Sequence, residues 1–560
     1  MQIARTKPLI RGHVMARSAR MEGKMKSTNK VLLGVLAFGV AFSQSTRAEE
    51  DLQAKIDSLS KQVESLKEKS LNNWLTIGGD YRLRLDYLHG KSVAFTDVNA
   101  TFANAQEQMN SGFFSGTIPG PQVAAFMAFA SGMNQVTTYE GANAFLGANS
   151  ALLSQFPGFA QQVGVYKPIN NSLYTNRFGL DLRAKATQDV AVHARLLMYK
   201  TSGSLNDSAI TNGGSAPFFA DRVGVFDGTL GHIPSSDYLG VDRAYATWSN
   251  VADLPLWFSA GRRPSTNGIP ENLRLNLERP GTGGVPAFLV DYAFDGMTLG
   301  WAPDIEALPG SFLKVCYGRG FDAGFGQAQG NSLKDTDFFG VSLVPVDTDP
   351  FRIHVQWNRG YNIFDFPVMN NTYFGNTAPS INLGSIDWFG TGVISTLKSV
   401  GPGTLHLFAE LALSNTHPNN NVSANAGFQG LLTGSFFSPE APDDKAGTAG
   451  WVGFRYDLPS NTKLGFEFNH GTRNWITFAP AADDLWTGKV GTRGNVYEAY
   501  IIQELNLKPV STYLAKTFFK VGYQRYDFDY TGSNNWVGAP KKIADLSAGD
   551  MQLLTPLKSA

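Results

Sequence analysis

The chain has 560 residues, 47 basic and 47 acidic side chains, and one cysteine. Charged residues make up only 17% of it, whereas soluble domains carry roughly one quarter, and glycine (59) and aromatics (12%) are generous. The lone cysteine excludes a disulfide scaffold, a Cys-based zinc site and covalent haem attachment. Zero net charge without a basic tract argues against nucleic acid. A transmembrane helix needs about 20 consecutive apolar residues, and the mature chain offers no such run.

Residues 1–48 read as a secretory leader. Lys26 and Lys30 precede the apolar run Val31–Phe42, and Thr46-Arg47-Ala48 ends in small residues suited to cleavage before Glu49. Met25 is the expected true start. Without 1–48 the chain keeps 38 basic and 46 acidic residues, a net charge of −8. Residues 49–70 carry a heptad seam, Leu52, Ile56, Leu59, Val63 and Leu66, which predicts a short periplasmic coiled coil. Such a short helix associates only where something else gathers the chains. The expectation is therefore a homo-oligomer, trimer or dimer, with a stalk that can contact peptidoglycan.

From Trp74 the period switches to two. Leu75, Ile77, Tyr81, Leu83, Leu85 and Tyr87 share one face; Thr76, Asp80, Arg82, Arg84 and Asp86 share the other. Similar segments follow, such as Phe351, Ile353, Val355 and Trp357 against Arg352, His354, Gln356 and Asn358. An apolar face opposite a charged one is the pattern of a strand between lipid and water. Connections alternate between short (187–189, 250–255, 303–311, 347–350, 399–403, 459–462, 509–515) and long, an asymmetry that a sandwich has no reason to show. Residues 71–560 are thus expected to form an all-β transmembrane antiparallel β-barrel of about 16 strands in outer-membrane lipid. Fifteen strands are visible, the sixth at 287–302. Either Gly549–Ala560 forms a poor closing strand, or the sequence is truncated, or the strand count is off by one; Pro556 and the lack of alternation weigh against the first. Loop 91–172 reads as partly helical and suits a cap over the mouth, a plug in the lumen or a subunit contact.

Ala260–Asn276 (AGRRPSTNGIPENLRLN), Val241–Tyr245 and Phe312–Phe321 together resemble an uncharacterised family of porin-like outer-membrane proteins. The resemblance runs from about Trp74 onward. It implies a barrel ending on a strand with a C-terminal aromatic, a feature absent here.

Charged groups on an inward loop facing a charged wall set selectivity in a pore. The expected loop residues are Arg262, Arg263, Glu271, Arg274 and Glu278; the expected wall residues are Arg82, Arg84, Arg183, Lys185 and Arg195. Scattered histidines and the absence of a Gly-x-Ser-x-Gly motif argue against an enzyme, and neither a metal nor a cofactor is expected. The leading expectation is passive diffusion of small hydrophilic solutes or ions. The alternatives are a sleeve around a multihaem cytochrome and a surface adhesin or envelope-tethering barrel.

Overall fold

The computed structural model describes residues 2–6, 74–203, 236–264, 269–277, 288–321, 334–365, 380–479, 484–507 and 515–560. The heptad seam, and the leader apart from residues 2–6, lie outside these residues. Fifteen long strands form one antiparallel sheet in chain order. They are β1 (Leu75–His89), β2 (Ile169–Lys185), β3 (Val190–Ser202), β4 (Ser236–Ser249), β5 (Leu256–Pro264), β6 (Ala293–Trp301), β7 (Phe312–Phe321) and β8 (Thr336–Asp347). Then come β9 (Phe351–Phe364), β10 (Asn382–Val400), β11 (Gly403–Pro418), β12 (Ala446–Asp457), β13 (Thr462–Gly471), β14 (Gly494–Leu505) and β15 (Ala515–Phe528). Short turns gather at one end and long connections at the other, as the sequence predicts.

Fifteen is odd, so β1 and β15 run the same way and an antiparallel strand must stand between them. Two short pieces do this. Gln2–Thr6, which the sequence reading assigns to the leader, pairs antiparallel with both β1 and β15 toward the short-turn end. Leu557–Ser559 pairs with β15 and with Lys91–Ser92, just past β1, at the other end. The result is a nearly closed antiparallel barrel in which fifteen long strands and these two short pieces make seventeen. The tail therefore does reach the seam despite Pro556, but as three residues rather than a full strand.

The alternation is inside-out relative to a soluble protein. Outward Leu85 and Val521 are 68% and 73% exposed, whereas inward Arg352 and His354 are each 1% exposed. An exposed apolar face pointing away from a polar interior is stable only against lipid. Trp248, Trp301 and Phe351 sit exposed near the short-turn end, and Tyr87 and Tyr361 near the other. These are the interfacial aromatic belts of a membrane barrel.

The sequence expectation for the sixth strand needs correction. β6 begins at Ala293, and Phe288–Tyr292 leaves the wall and folds into the lumen. This run (FLVDY) does not alternate, so it suits a packed core better than a two-faced strand. It meets the loop after β13 through Phe478 N–H to Leu289 O at 2.8 Å and Asp291 N–H to Phe478 O at 3.1 Å. Around them Trp388, Trp451, Trp475 and Trp536 are fully buried. Each indole N–H has a partner: Ile476 O (2.8 Å), Glu467 (3.2 Å), Val490 O (2.7 Å) and Phe364 O (2.7 Å), respectively. Buried indoles need such acceptors.

The connection from β1 to β2 carries α1 (Val98–Ser115), α2 (Gly120–Met133), α3 (Tyr139–Ala148) and α4 (Ser150–Leu153). Asp97 caps α1 by accepting from Ala100 N–H at 3.0 Å. Gly116, in the left-handed region at φ 72°, ends it. The helices reach across the mouth to the β11–β12 loop, where Phe129, Phe145, Phe428 and Phe437 pack together. Tyr139 N–H to Asn420 O (2.9 Å) and Val422 N–H to Thr137 O (3.0 Å) tie the two loops.

Val355 projects outward near the middle of β9. Val355→Arg should destabilise the barrel by about 2–4 kcal/mol in a bilayer, the cost of arginine at the midplane. Urea titration of folding into lipid vesicles reads this; a neutral result would mean that this face does not meet lipid.

Candidate functional site

Strands β1 to β5 present a basic inner wall. Pairing and alternation place Arg82, Arg84, Arg177, Arg183, Lys185, Arg195, Arg243 and Arg263 on it, eight cations against the four acids Asp80, Asp86, Asp181 and Asp242. Arg195 is its centre. It pairs with Asp80, with Asp181 at 2.5 Å and with Asp242 at 3.5 Å, and it is buried. Gly179 makes room for it, because a Cβ there would lie 2.7 Å from Arg195 Cζ. Arg82 donates to the Tyr199 hydroxyl at 2.9 Å and lies 5.3 Å from the ring centre, with Arg177 5.9 Å from the same ring. These are cation–π distances. Arg84 bonds Asp86 at 2.7 Å and keeps 28% of its side chain exposed, and Lys185 is exposed. His193 stacks on Tyr245 with centroids 4.9 Å apart.

The opposite wall is packed, and its charges are paired. The turn Ile269–Leu277 folds inward, with Ile269 and Leu273 in the core. Its Arg274 binds Glu271 (2.8 Å), Asp484 (2.9 Å) and Glu498 (3.3 Å). Lys489 joins Glu467 and, at 2.7 Å, Glu498; Lys520 reaches Glu498 at 3.3 Å. Buried charges of this kind persist because they are paired and hydrogen-bonded.

The expected wall residues Arg82, Arg84, Arg183, Lys185 and Arg195 thus share one interior face, and Arg263 joins them. Arg262 does not. It points outward at the long-loop rim and pairs with Asp295, since side chains alternate and Arg263 takes the inner position. Glu271 and Arg274 are inside but are locked to each other and to β14, away from the basic wall. Glu278 lies outside the described residues. Sequence reading missed Arg177 and Arg243, which period two extended along β2 and β4 would have found. It also missed Asp484 and Lys489, which sit in a loop with no periodicity to betray them.

Chains with an apolar outer belt, aromatic girdles, a polar inner face and tight turns at one end are β-barrels of the bacterial outer membrane. This chain belongs to the DUF3373 family of proteins of unknown function, which matches residues 167–560. No curated protein matches it. Solved structures to which it is similar include Salmonella typhi OmpF in complex with daunomycin (9% identity, TM-score 0.32, 63% of this chain and 91% of that one). The outer-membrane channel DcaP of Acinetobacter baumannii (11%, 0.30, 80% and 92%) and Pseudomonas putida OprB (11%, 0.34, 65% and 83%) are others.

Two outcomes follow from these charges. Arg195→Met leaves three carboxylates around a lost cation and should cost about 3–5 kcal/mol, whereas Arg262→Met at the exposed rim pair should cost under about 1 kcal/mol. Equilibrium unfolding in urea compares them. Burial raises the Glu271 carboxyl to about 7 against the pull of Arg274 and Lys489. The folded state therefore holds this proton more tightly than the unfolded state. Stability should be highest below the unfolded value and fall as pH rises from about 4.5 to 7, by on the order of 3 kcal/mol. Thermal melting across this window should show the fall in the wild type and a flatter profile in Glu271→Gln.

Proposed function

We propose that the barrel is a porin-like channel for passive diffusion of small hydrophilic solutes or ions, and that its path follows the basic wall of β1–β5. The observation that carries this reading is the excess of eight cations over four acids on that wall. Local charge on a pore wall selects ions by its field, so anions are the favoured class. The packed loops opposite argue for a narrow passage and a small conductance.

The cytochrome sleeve is disfavoured by the same packing, because the interior beside β6–β14 is taken by the chain's own loops. Envelope tethering and homo-oligomer formation would rest on the heptad seam, which lies outside the described residues. No enzymatic role is proposed.

Purified protein in planar bilayers under a salt gradient should give discrete steps and an anion-selective reversal potential. Arg82→Gln with Arg84→Gln should move this potential toward zero. Silence from correctly folded protein, or a cation-selective reversal, would sink the reading.

A further inference from the structure

A cavity of about 30 Å³ lies inside the wall at β7, β8 and β9. Arg263, Lys314, Cys316, Ser342, Gln356 and Asn358 all reach it. They come together because register stacks two inner rows. Lys314, Ser342 and Gln356 are cross-strand partners in one row; Cys316, Gly340 and Asn358 are partners in the next. Gly340 keeps the hollow open, since a Cβ there would collide with the Asn358 side-chain oxygen. Val290 from the inward loop, with Phe294 and Phe338, forms its apolar wall.

Two features single this hollow out. Its charged lining is cationic, and among the described residues no carboxylate lines it. Ser342, Gln356 and Asn358 are 3%, 4% and 9% exposed, yet Ser342 Oγ, Gln356 Oε1 and Asn358 Nδ2 have no hydrogen-bond partner among the described residues. Buried polar atoms normally find partners. A space of about 10–15 Å³ already holds one water-sized occupant. At about 30 Å³ this one has room for one particle somewhat larger than a water molecule.

We propose that this cavity binds one small monatomic anion, a halide. Arg263 and Lys314 supply the charge, and the Ser342 O–H and Asn358 N–H groups donate to the ion. The Gln356 amide, turned by half a rotation, offers its N–H₂ group in place of Oε1. The site needs no open pore, so it stands or falls separately from conduction.

The test uses the intact folded barrel in detergent. Its melting temperature is measured in sodium bromide and in sodium gluconate at equal ionic strength, and bromide-soaked crystals are measured at the bromine absorption edge. The expected result is a saturable rise in melting temperature with bromide and an anomalous peak between Lys314 and Ser342. Ser342→Ala, a small change that spares the wall, should raise the half-saturating bromide concentration about tenfold, as loss of one hydrogen bond to a charged group does. Lys314→Met should remove the bromide-dependent rise whatever it does to stability overall. Equal melting in both salts without an anomalous peak would mean that the cavity holds only water, and would overturn the proposal. A bromide effect undiminished in both variants would place the ion elsewhere and overturn it equally.

Discussion

A backbone that crosses hydrocarbon must pair its own N–H and C=O groups, because lipid offers no partner. This constraint makes the sheet close, and the way it closes here shapes the rest of the molecule. With fifteen long strands the two seam strands run the same way. An antiparallel filler is required, and Gln2–Thr6 and Leu557–Ser559 each supply a piece of it. To bring Leu557–Ser559 to the seam, residues after β15 must first cross the mouth. On the way they place Trp536 and Asn534 deep in the lumen.

Closure creates an interior, and in this chain loops occupy much of it. Arg493 joins them. Its guanidinium donates to the carbonyls of Trp475 (3.0 Å), Thr531 (3.1 Å), Gly532 (2.7 Å) and Asn535 (2.7 Å). Two loops that follow different strands are thereby tied to one buried cation. Non-helical backbone is tolerated at this depth because it is buried in protein and its polar groups are bonded. The packing is uneven around the barrel. Beside β6–β14 the loops build an apolar core with a knot of paired charges, while β1–β5 keep a wall of arginines. The asymmetry of the interior, rather than net charge, is what a passing ion would meet.

Much of this was legible in period-two alternation. All fifteen strands and the alternation of short and long connections follow from it, since lipid on one side and polar interior on the other impose opposite chemistry on successive residues. The inner position of Arg82, Arg84, Arg183 and Arg195 follows from the same rule. Arg262 and Arg263 show where it stops: adjacent residues must face opposite ways, and which one faces in depends on register, which neighbouring strands set.

The sequence by itself determined the class of protein, the strand boundaries to within a few residues except at the start of β6, and the face that meets lipid, because these depend on local chemistry repeated along the chain. Only the tertiary structure decided how the seam is filled, that Phe288–Tyr292 leaves the wall for the lumen, and that Arg274 meets Asp484 and Glu498. Those outcomes depend on contacts between residues up to hundreds of positions apart, and no spacing along the chain encodes them.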